Sequence, residues 1–288
     1  MKRLFLPTTA LAGVLFFSAC STSTNSDQPA DAPGDEQEDN IEVNDSTALV
    51  FKNDKYTLTE VLSSPEYPKS TLKVITPEVG DMLDEGNVSF QFEVTGGDYE
   101  LGAQTSDADI KMCANSGKGQ HVHLIINNGP YEASYGTEYT TKNELEEGNY
   151  VALAFLSRSY HMSCKHEGAA VLTQFQVGDE PQDEADLEAP HLFYSRPKGE
   201  YDLSGDQKLL LDFYLVNTTL GVNGNYVKVT FDDDVENSLN VTKWAPFFIE
   251  GLGAGKHKVK IELMNKDNIF IEGPFNAGER EFKITNRA

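Results

Sequence analysis

Eight stretches of this chain alternate apolar and polar residues at a period near two, and none holds the 3.6-residue period of an amphipathic helix. In the first half these are Ser89-Phe-Gln-Phe-Glu-Val94, His121-Val-His-Leu-Ile-Ile126, Tyr150-Val-Ala-Leu-Ala-Phe155 and Val171-Leu-Thr-Gln-Phe-Gln-Val177. In the second half they are Leu209-Leu-Leu-Asp-Phe-Tyr-Leu215, Tyr226-Val-Lys-Val-Thr-Phe231, Lys258-Val-Lys-Ile-Glu-Leu263 and Glu281-Phe-Lys-Ile284. The pattern predicts an all-β protein with helices absent or reduced to single turns. A half-buried sheet needs a second packed layer to close a core, so two β-sandwiches in tandem are the expected architecture, with a closed barrel as the alternative. Tyr56-Thr-Leu-Thr-Glu-Val-Leu62 also alternates, before Pro65 and Pro68 interrupt it.

The two halves read as copies of one another. Thr76-Pro-Glu-Val-Gly-Asp followed by Phe90-Gln-Phe-Glu-Val aligns with Ser195-Arg-Pro-Lys-Gly-Glu followed by Leu211-Asp-Phe-Tyr-Leu. His123-Leu-Ile-Ile-Asn-Asn aligns with Lys228-Val-Thr-Phe-Asp-Asp, and Leu145-Glu-Glu-Gly-Asn-Tyr with Leu252-Gly-Ala-Gly-Lys-His. The Leu-x-x-Gly-x-(Tyr or His) pattern ahead of a strand resembles the strand entry of extracellular immunoglobulin-like modules, where glycine permits the tight turn.

Lys2 and Arg3 precede a mostly apolar run from Leu4 to Phe17, too short to span a bilayer and of the length of an export signal. Phe17-Ser-Ala-Cys20 resembles the lipobox of bacterial lipoproteins, which implies acylation of Cys20; the alternatives are a plain Ala-x-Ala type cleavage and an uncleaved anchor. Residues 21–50 hold no Lys or Arg and many acids, which predicts a disordered, self-repelling tether. The expected organisation is a signal peptide over 1–19, the lipidated cysteine and tether over 20–50, and a first sandwich with an N-terminal extension over 51–178. A polar linker over 179–190 and a second sandwich over 191–288 follow. The net charge of −23 argues against nucleic acid and against anionic head groups as partners, so membrane attachment would come from acyl chains.

Gly119-Gln-His-Val-His-Leu-Ile-Ile-Asn-Asn-Gly-Pro-Tyr-Glu-Ala133, Ala154-Phe-Leu-Ser-Arg-Ser-Tyr-His161 and Thr242-Lys-Trp-Ala-Pro-Phe-Phe-Ile-Glu-Gly251 together resemble a group of bacterial envelope lipoproteins, some labelled phosphopeptide-binding. The resemblance covers roughly residues 70–286. It implies immunoglobulin-like modules lipid-anchored to a membrane, the outer membrane being expected, in the periplasm or facing outward, without an assigned activity. No arginine cluster that would capture a phosphate accompanies it.

His121, His123, Cys113, His161, Met162, Cys164 and His166 form the one constellation with chemical content. Two histidines two apart on a strand share a face. His161 follows a strand expected to run antiparallel beside theirs, so the three are expected to meet at one end of the sandwich, with His166 on the adjoining loop. Imidazoles suit zinc, and imidazoles with thioether or thiolate suit copper; structural or surface histidines are the plainer reading. Cys113 and Cys164 are the even pair left after Cys20 and are expected to form a disulfide, which would exclude them as thiolate ligands.

Catalysis has little support: no Gly-x-Ser-x-Gly elbow occurs, and Asp232-Asp-Asp234 lacks calcium-hand spacing. Trp244, Phe247 and Phe248 with Tyr194 and Tyr214 are a candidate platform for sugars, or else core. The chain is thus expected to be a non-catalytic, lipid-anchored binding or structural module with an unknown protein, metal or glycan ligand and no obligatory cofactor. A copper or zinc carrier and a glycan-binding accessory protein are the alternatives.

Overall fold

Both copies of the repeat fold onto one strand plan. The computed structural model describes residues 42–43, 48–180 and 182–287, so the expected signal peptide, Cys20 and most of the tether lie outside the described residues. Three strands open the described chain: β1 (Glu42–Val43), β2 (Leu49–Lys52) and β3 (Thr57–Glu60). The first copy supplies β4 (Thr71–Thr76), β5 (Met82–Leu83), β6 (Ser89–Thr95), β7 (His121–Ile126), β8 (Glu132–Ser134), β9 (Glu138–Thr140), β10 (Gly148–Ser157) and β11 (Ala170–Val177). The second supplies β12 (His191–Arg196), β13 (Gly199–Leu203), β14 (Leu209–Val216), β15 (Tyr226–Phe231), β16 (Leu239–Val241), β17 (Phe247–Glu250), β18 (Gly255–Met264) and β19 (Ala277–Arg287). Among the described residues the helical content is one 3-10 turn, Val235–Asn237.

In the first sandwich β4-β6-β9 packs on β5-β11-β10-β7-β8; in the second β12-β14-β17 packs on β13-β19-β18-β15-β16. The opening strand of each copy leaves its sheet at a cis Xaa-Pro bond, Thr76–Pro77 or Arg196–Pro197, and crosses to pair in parallel with the last strand of the facing sheet. The protein is therefore all-β, built as two tandem sandwiches of immunoglobulin-like plan. The aligned sequence motifs explain the local turns. Asn127 and Asn128 (φ 47° and 52°) and Asp232 and Asp233 (φ 51° and 60°) end equivalent strands with two left-handed residues, a conformation that Asn and Asp tolerate. The Tyr150 hydroxyl donates to the Glu146 carbonyl at 3.0 Å, and His257 Nε2 stands 2.9 Å from the Gly253 carbonyl, the same corner contact in each copy.

Phe90, Phe92, Phe175, Leu124 and Leu156 fill the first core; Phe213, Phe231, Phe247, Val229 and Ile261 fill the second. Each such side chain, removed from water, contributes roughly 1.5–3 kcal/mol. A third cluster lies between the sandwiches, where Ile125, Val151, Leu153 and Phe155 meet Phe193, Tyr214 and Phe275. The sheet containing β7 and β10 is consequently covered on both faces, and β7 is buried from His121 to Ile125. Asn128 reinforces the contact, accepting from Tyr194 N at 2.9 Å and donating to Phe275 O at 2.9 Å.

Two expectations of organisation are corrected. The segment expected to extend the first sandwich completes the second: β3 pairs with β17, and β2 and β1 continue that sheet. Phe51 packs edge-on against Phe247 and Tyr56 against Phe231, so the apolar face of this segment enters the second core. Because β1 and the start of β2 fall within 20–50, the expected tether is strand-paired at its end. The segment 179–190 joins β11 to β12, and it packs along the molecule, with Ala185 and Leu187 against the cluster between the sandwiches and Ala185 N donating to Gln174 Oε1 at 2.8 Å.

Candidate metal centre

Strand register assembles the site. β10 runs antiparallel to β7, pairing Phe155 with His123 and Ser157 with His121, so the end of one strand lies beside the start of the other as the sequence predicts. Val122 and Leu124 point into the first core; His121 and His123, one residue out of phase, occupy the opposite face. After β10 the chain reverses in a tight turn: His161 N donates to Arg158 O at 2.8 Å, Arg158 N to Met162 O at 2.9 Å, and Ser157 bridges Ser163. His161 takes the left-handed position of this turn at φ 66°, a cost that histidine tolerates better than most residues. The turn folds its ring back over the face that His121 and His123 share.

Three ring nitrogens converge. His121 Nε2 lies 2.9 Å from His123 Nε2 and 3.1 Å from His161 Nδ1, and the ligand atoms of the trio all fall within 4.8 Å of one another. Four nitrogens at 2.0–2.1 Å around a tetrahedral ion stand about 3.3 Å apart, so the His121–His123 and His121–His161 spacings are near those of ligands on one ion. His121 Nδ1 donates to the Gly119 carbonyl at 2.8 Å, which fixes the tautomer and leaves the Nε2 lone pair aimed at the other two rings. His123 Nδ1 stands 3.4 Å from Ser195 Oγ, and its ring stacks on Tyr131 with centroids 3.7 Å apart and planes 9° from parallel. Burial lowers the pKa of all three: His121 to about 4, with His123 well below its ordinary value and His161 in the same direction. Neutral imidazole is the form that ligates.

His166 stands apart, its Nε2 within 2.8 Å of the Ser70 carbonyl, so the structure does not join it to the other three. Met162 and Cys113 pack in one apolar cluster with Tyr160 and Phe248, Cys164 in the first core. The expected disulfide is not formed: both cysteines are free and buried in different clusters, and burial pushes the Cys113 thiol up to about 12 and the Cys164 thiol in the same direction. The sugar platform is absent from these residues, because Tyr194, Tyr214, Phe247 and Phe248 are core side chains. Half-buried Trp244 donates its indole N–H to Phe213 O at 3.1 Å and packs edge-on against Tyr214.

The surroundings include residues that sequence reasoning missed. Tyr131 lies within the string that carries the resemblance, but nothing in its spacing ties it to His123. Ser195 and Arg196 come from the second sandwich, at the end of β12. The duplication offers the one usable signal. By strand register the places of His121, His123 and His161 are taken in the second copy by Tyr226, Lys228 and Asn268. Asn268 also has a left-handed backbone, at φ 58°, and the Tyr226 hydroxyl donates to its Oδ1 at 2.7 Å. The Tyr226–Asn268 hydrogen bond and a lysine stand there in the places of the three imidazoles.

No protein-family model matches the chain, and no curated protein matches it. Solved structures similar to it include fibronectin(III)-like modules of CbhA from Clostridium thermocellum, at 11% identity over 75% of this chain and 94% of that one, with a TM-score of 0.25. Another is SGBP-B of the Bacteroides ovatus mixed-linkage glucan utilisation locus, at 10% identity over 75% of this chain and 48% of that one, with a TM-score of 0.21. Two tandem V-type regions of the chitin-binding protein VCBP3 match at 10% identity over 76% of this chain and 100% of theirs, with a TM-score of 0.22. At these scores the likenesses carry no argument about function.

Proposed function

We propose that the protein is a non-catalytic metal-binding module of the bacterial envelope, holding one copper or zinc ion through His121 Nε2, His123 Nε2 and His161 Nδ1. The observation that carries this reading is the convergence of three neutral, mostly buried imidazoles with a lone pair of His121 directed at the other two rings. A structural histidine trio would be expected to pair donors with acceptors. Here His121 donates its one N–H to Gly119, so its Nε2 is an acceptor that faces two further ring nitrogens, and one cation can be held by all three.

Calorimetric titration of the full chain without its signal peptide is expected to give one saturable site for Zn(II) or copper at micromolar metal. His121→Ala and His123→Ala should each weaken it more than about 100-fold, beyond what outer-sphere changes usually cost. Equal heats from wild type and both variants would rule the reading out. The whole second sandwich must be present, because it covers the face on which the ligands lie.

Anchoring belongs to the same proposal. Cys20, preceded by Phe17-Ser-Ala, would carry acyl chains whose methylenes each contribute about 0.8 kcal/mol of membrane affinity, which the acidic stretch behind it cannot supply. Cys20→Ser is expected to shift the protein from the membrane to the soluble fraction. A serine variant that still sediments with membranes after a salt wash would remove the lipid anchor.

A further inference from the structure

The charge around the three imidazoles constrains the ion. Among the described residues, His121, His123 and His161 form a cluster without a carboxylate or thiolate ligand. Two cations from the second sandwich lie against the tyrosine that backs it. Arg196, 7% exposed, donates from Nη2 to the Tyr131 hydroxyl at 2.7 Å, and that hydroxyl stands 3.5 Å from His161 Nδ1. Its Nη1 is 3.4 Å from the Tyr201 hydroxyl, its Nε has no partner, and no carboxylate pairs with it among the described residues. Lys198 Nζ sits 3.5 Å from the centroid of the Tyr131 ring and donates to the Tyr131 carbonyl. Since His123 stacks on one face of Tyr131 at 3.7 Å, the ammonium must occupy the other, one ring's thickness from a ligand.

We infer that the trio favours a monovalent ion, copper(I), over zinc(II) or copper(II); the inference rests on the metal-site reading above. The physical reason is charge scaling. Repulsion by fixed cations grows in proportion to the ion's charge and the cost of removing an ion from water with its square, so a dication with only neutral ligands meets twice the repulsion and about four times the desolvation. Zinc and copper(II) sites commonly offset this with a carboxylate, a thiolate or a bound anion. Imidazole by itself suits zinc and copper alike, so ligand type does not decide between them here; copper(I), carrying one charge, needs no such counter-charge. Tyr131, Arg196 and Lys198 would then act as positioning and selectivity residues: Tyr131 holds the plane of His123, and the two cations raise the cost of a second positive charge.

The test is a pair of competition titrations on the full chain without its signal peptide. One uses copper(I) in oxygen-free reducing buffer against a chromophoric copper(I) chelator, the other zinc(II) against a chromophoric zinc chelator. Wild type is expected to bind copper(I) at least about 100-fold more tightly. Lys198→Met, which keeps the apolar stem and removes the charge, should narrow that gap by about tenfold, as expected for one charge near the site at an effective dielectric of about 20. Zinc binding as tight as copper(I), or a gap unmoved by Lys198→Met, with His121→Ala still abolishing binding, would overturn the charge preference and leave the metal site standing. A zinc affinity that rises steeply with added chloride or azide would likewise overturn it, by showing that an anion completes the site. If neither ion binds, or if His121→Ala changes neither titration, both readings fall. The wild-type comparison stands even if the Lys198 variant is poorly folded.

Discussion

Asp212→Ala is expected to lower folding stability by about 3–5 kcal/mol, measured as the shift in a urea unfolding midpoint at constant slope. Asp212 lies on β14 with its side chain 0% exposed, and it reaches across to the first sandwich. Its Oδ2 accepts from Ser163 N at 2.9 Å, and its Oδ1 from Ser163 Oγ at 3.0 Å and from Lys165 Nζ at 2.8 Å. The Lys165 ammonium also donates to Phe213 O at 2.9 Å and stands 5.2 Å from the Trp244 ring, with 15% of its side chain exposed. Burial pulls the Lys165 pKa down and Asp212 opposes that, so removing the carboxylate strands a cation in a poorly solvated site. Lys165→Met combined with Asp212→Leu should be closer to wild type than Asp212→Ala, since neither charge is then left alone. A cost below about 1 kcal/mol for Asp212→Ala would show that water reaches the pair and that it does not hold the sandwiches together.

Acid is expected to destabilise the metal-free protein from pH 6.5 downward through its histidine trio. In the unfolded chain these residues titrate near 6.5, whereas in the fold His121 titrates near 4 and the other two are shifted the same way by burial. Between those values the unfolded state binds more protons than the native state, so stability falls as pH falls; above pH 6.5 both states are neutral and the effect vanishes. His121 alone accounts for a loss on the order of 3 kcal/mol by pH 4, and the other two deepen it. His191, also lowered mainly by burial, acts in the same direction and sets a background. Unfolding midpoints at pH 7, 6 and 5 should therefore fall more steeply for wild type than for a His121→Gln, His123→Gln double variant. Parallel curves would mean that these rings charge without penalty and are solvated in the native state.

The histidine pair was legible because strand periodicity is local. A His-x-His at period two shares a face whatever the rest of the chain does, and antiparallel pairing of β7 with β10 brings His161 to that face. Proximity in sequence puts His166 on the adjoining loop, yet Ser163 and Cys164 lead the chain back beside β10, where His166 meets the Ser70 carbonyl. An even count and loops at one end of the sandwich pair Cys113 with Cys164, but neither carries information about the direction of the side chains. One thiol points into the first core and the other into the cluster around Tyr160 and Met162.

By itself the sequence determined the all-β class, the duplication and the turn and corner residues that make the two copies alike, because each depends on contacts among residues close in the chain. Tertiary structure alone decided what covers each face and who pairs at each edge. Periodicity states that His121, His123 and Ile125 look away from the first core; it cannot state that Phe193, Ser195 and Arg196 of the second sandwich lie over them. That covering buries His121 and His123, depresses the imidazole pKa values and brings Arg196 and Lys198 beside the three rings. The open edge of β17 was likewise invisible in the local pattern, and it is filled by β3 from the far end of the chain because Phe51, Tyr56 and Leu58 find their burial in the second core.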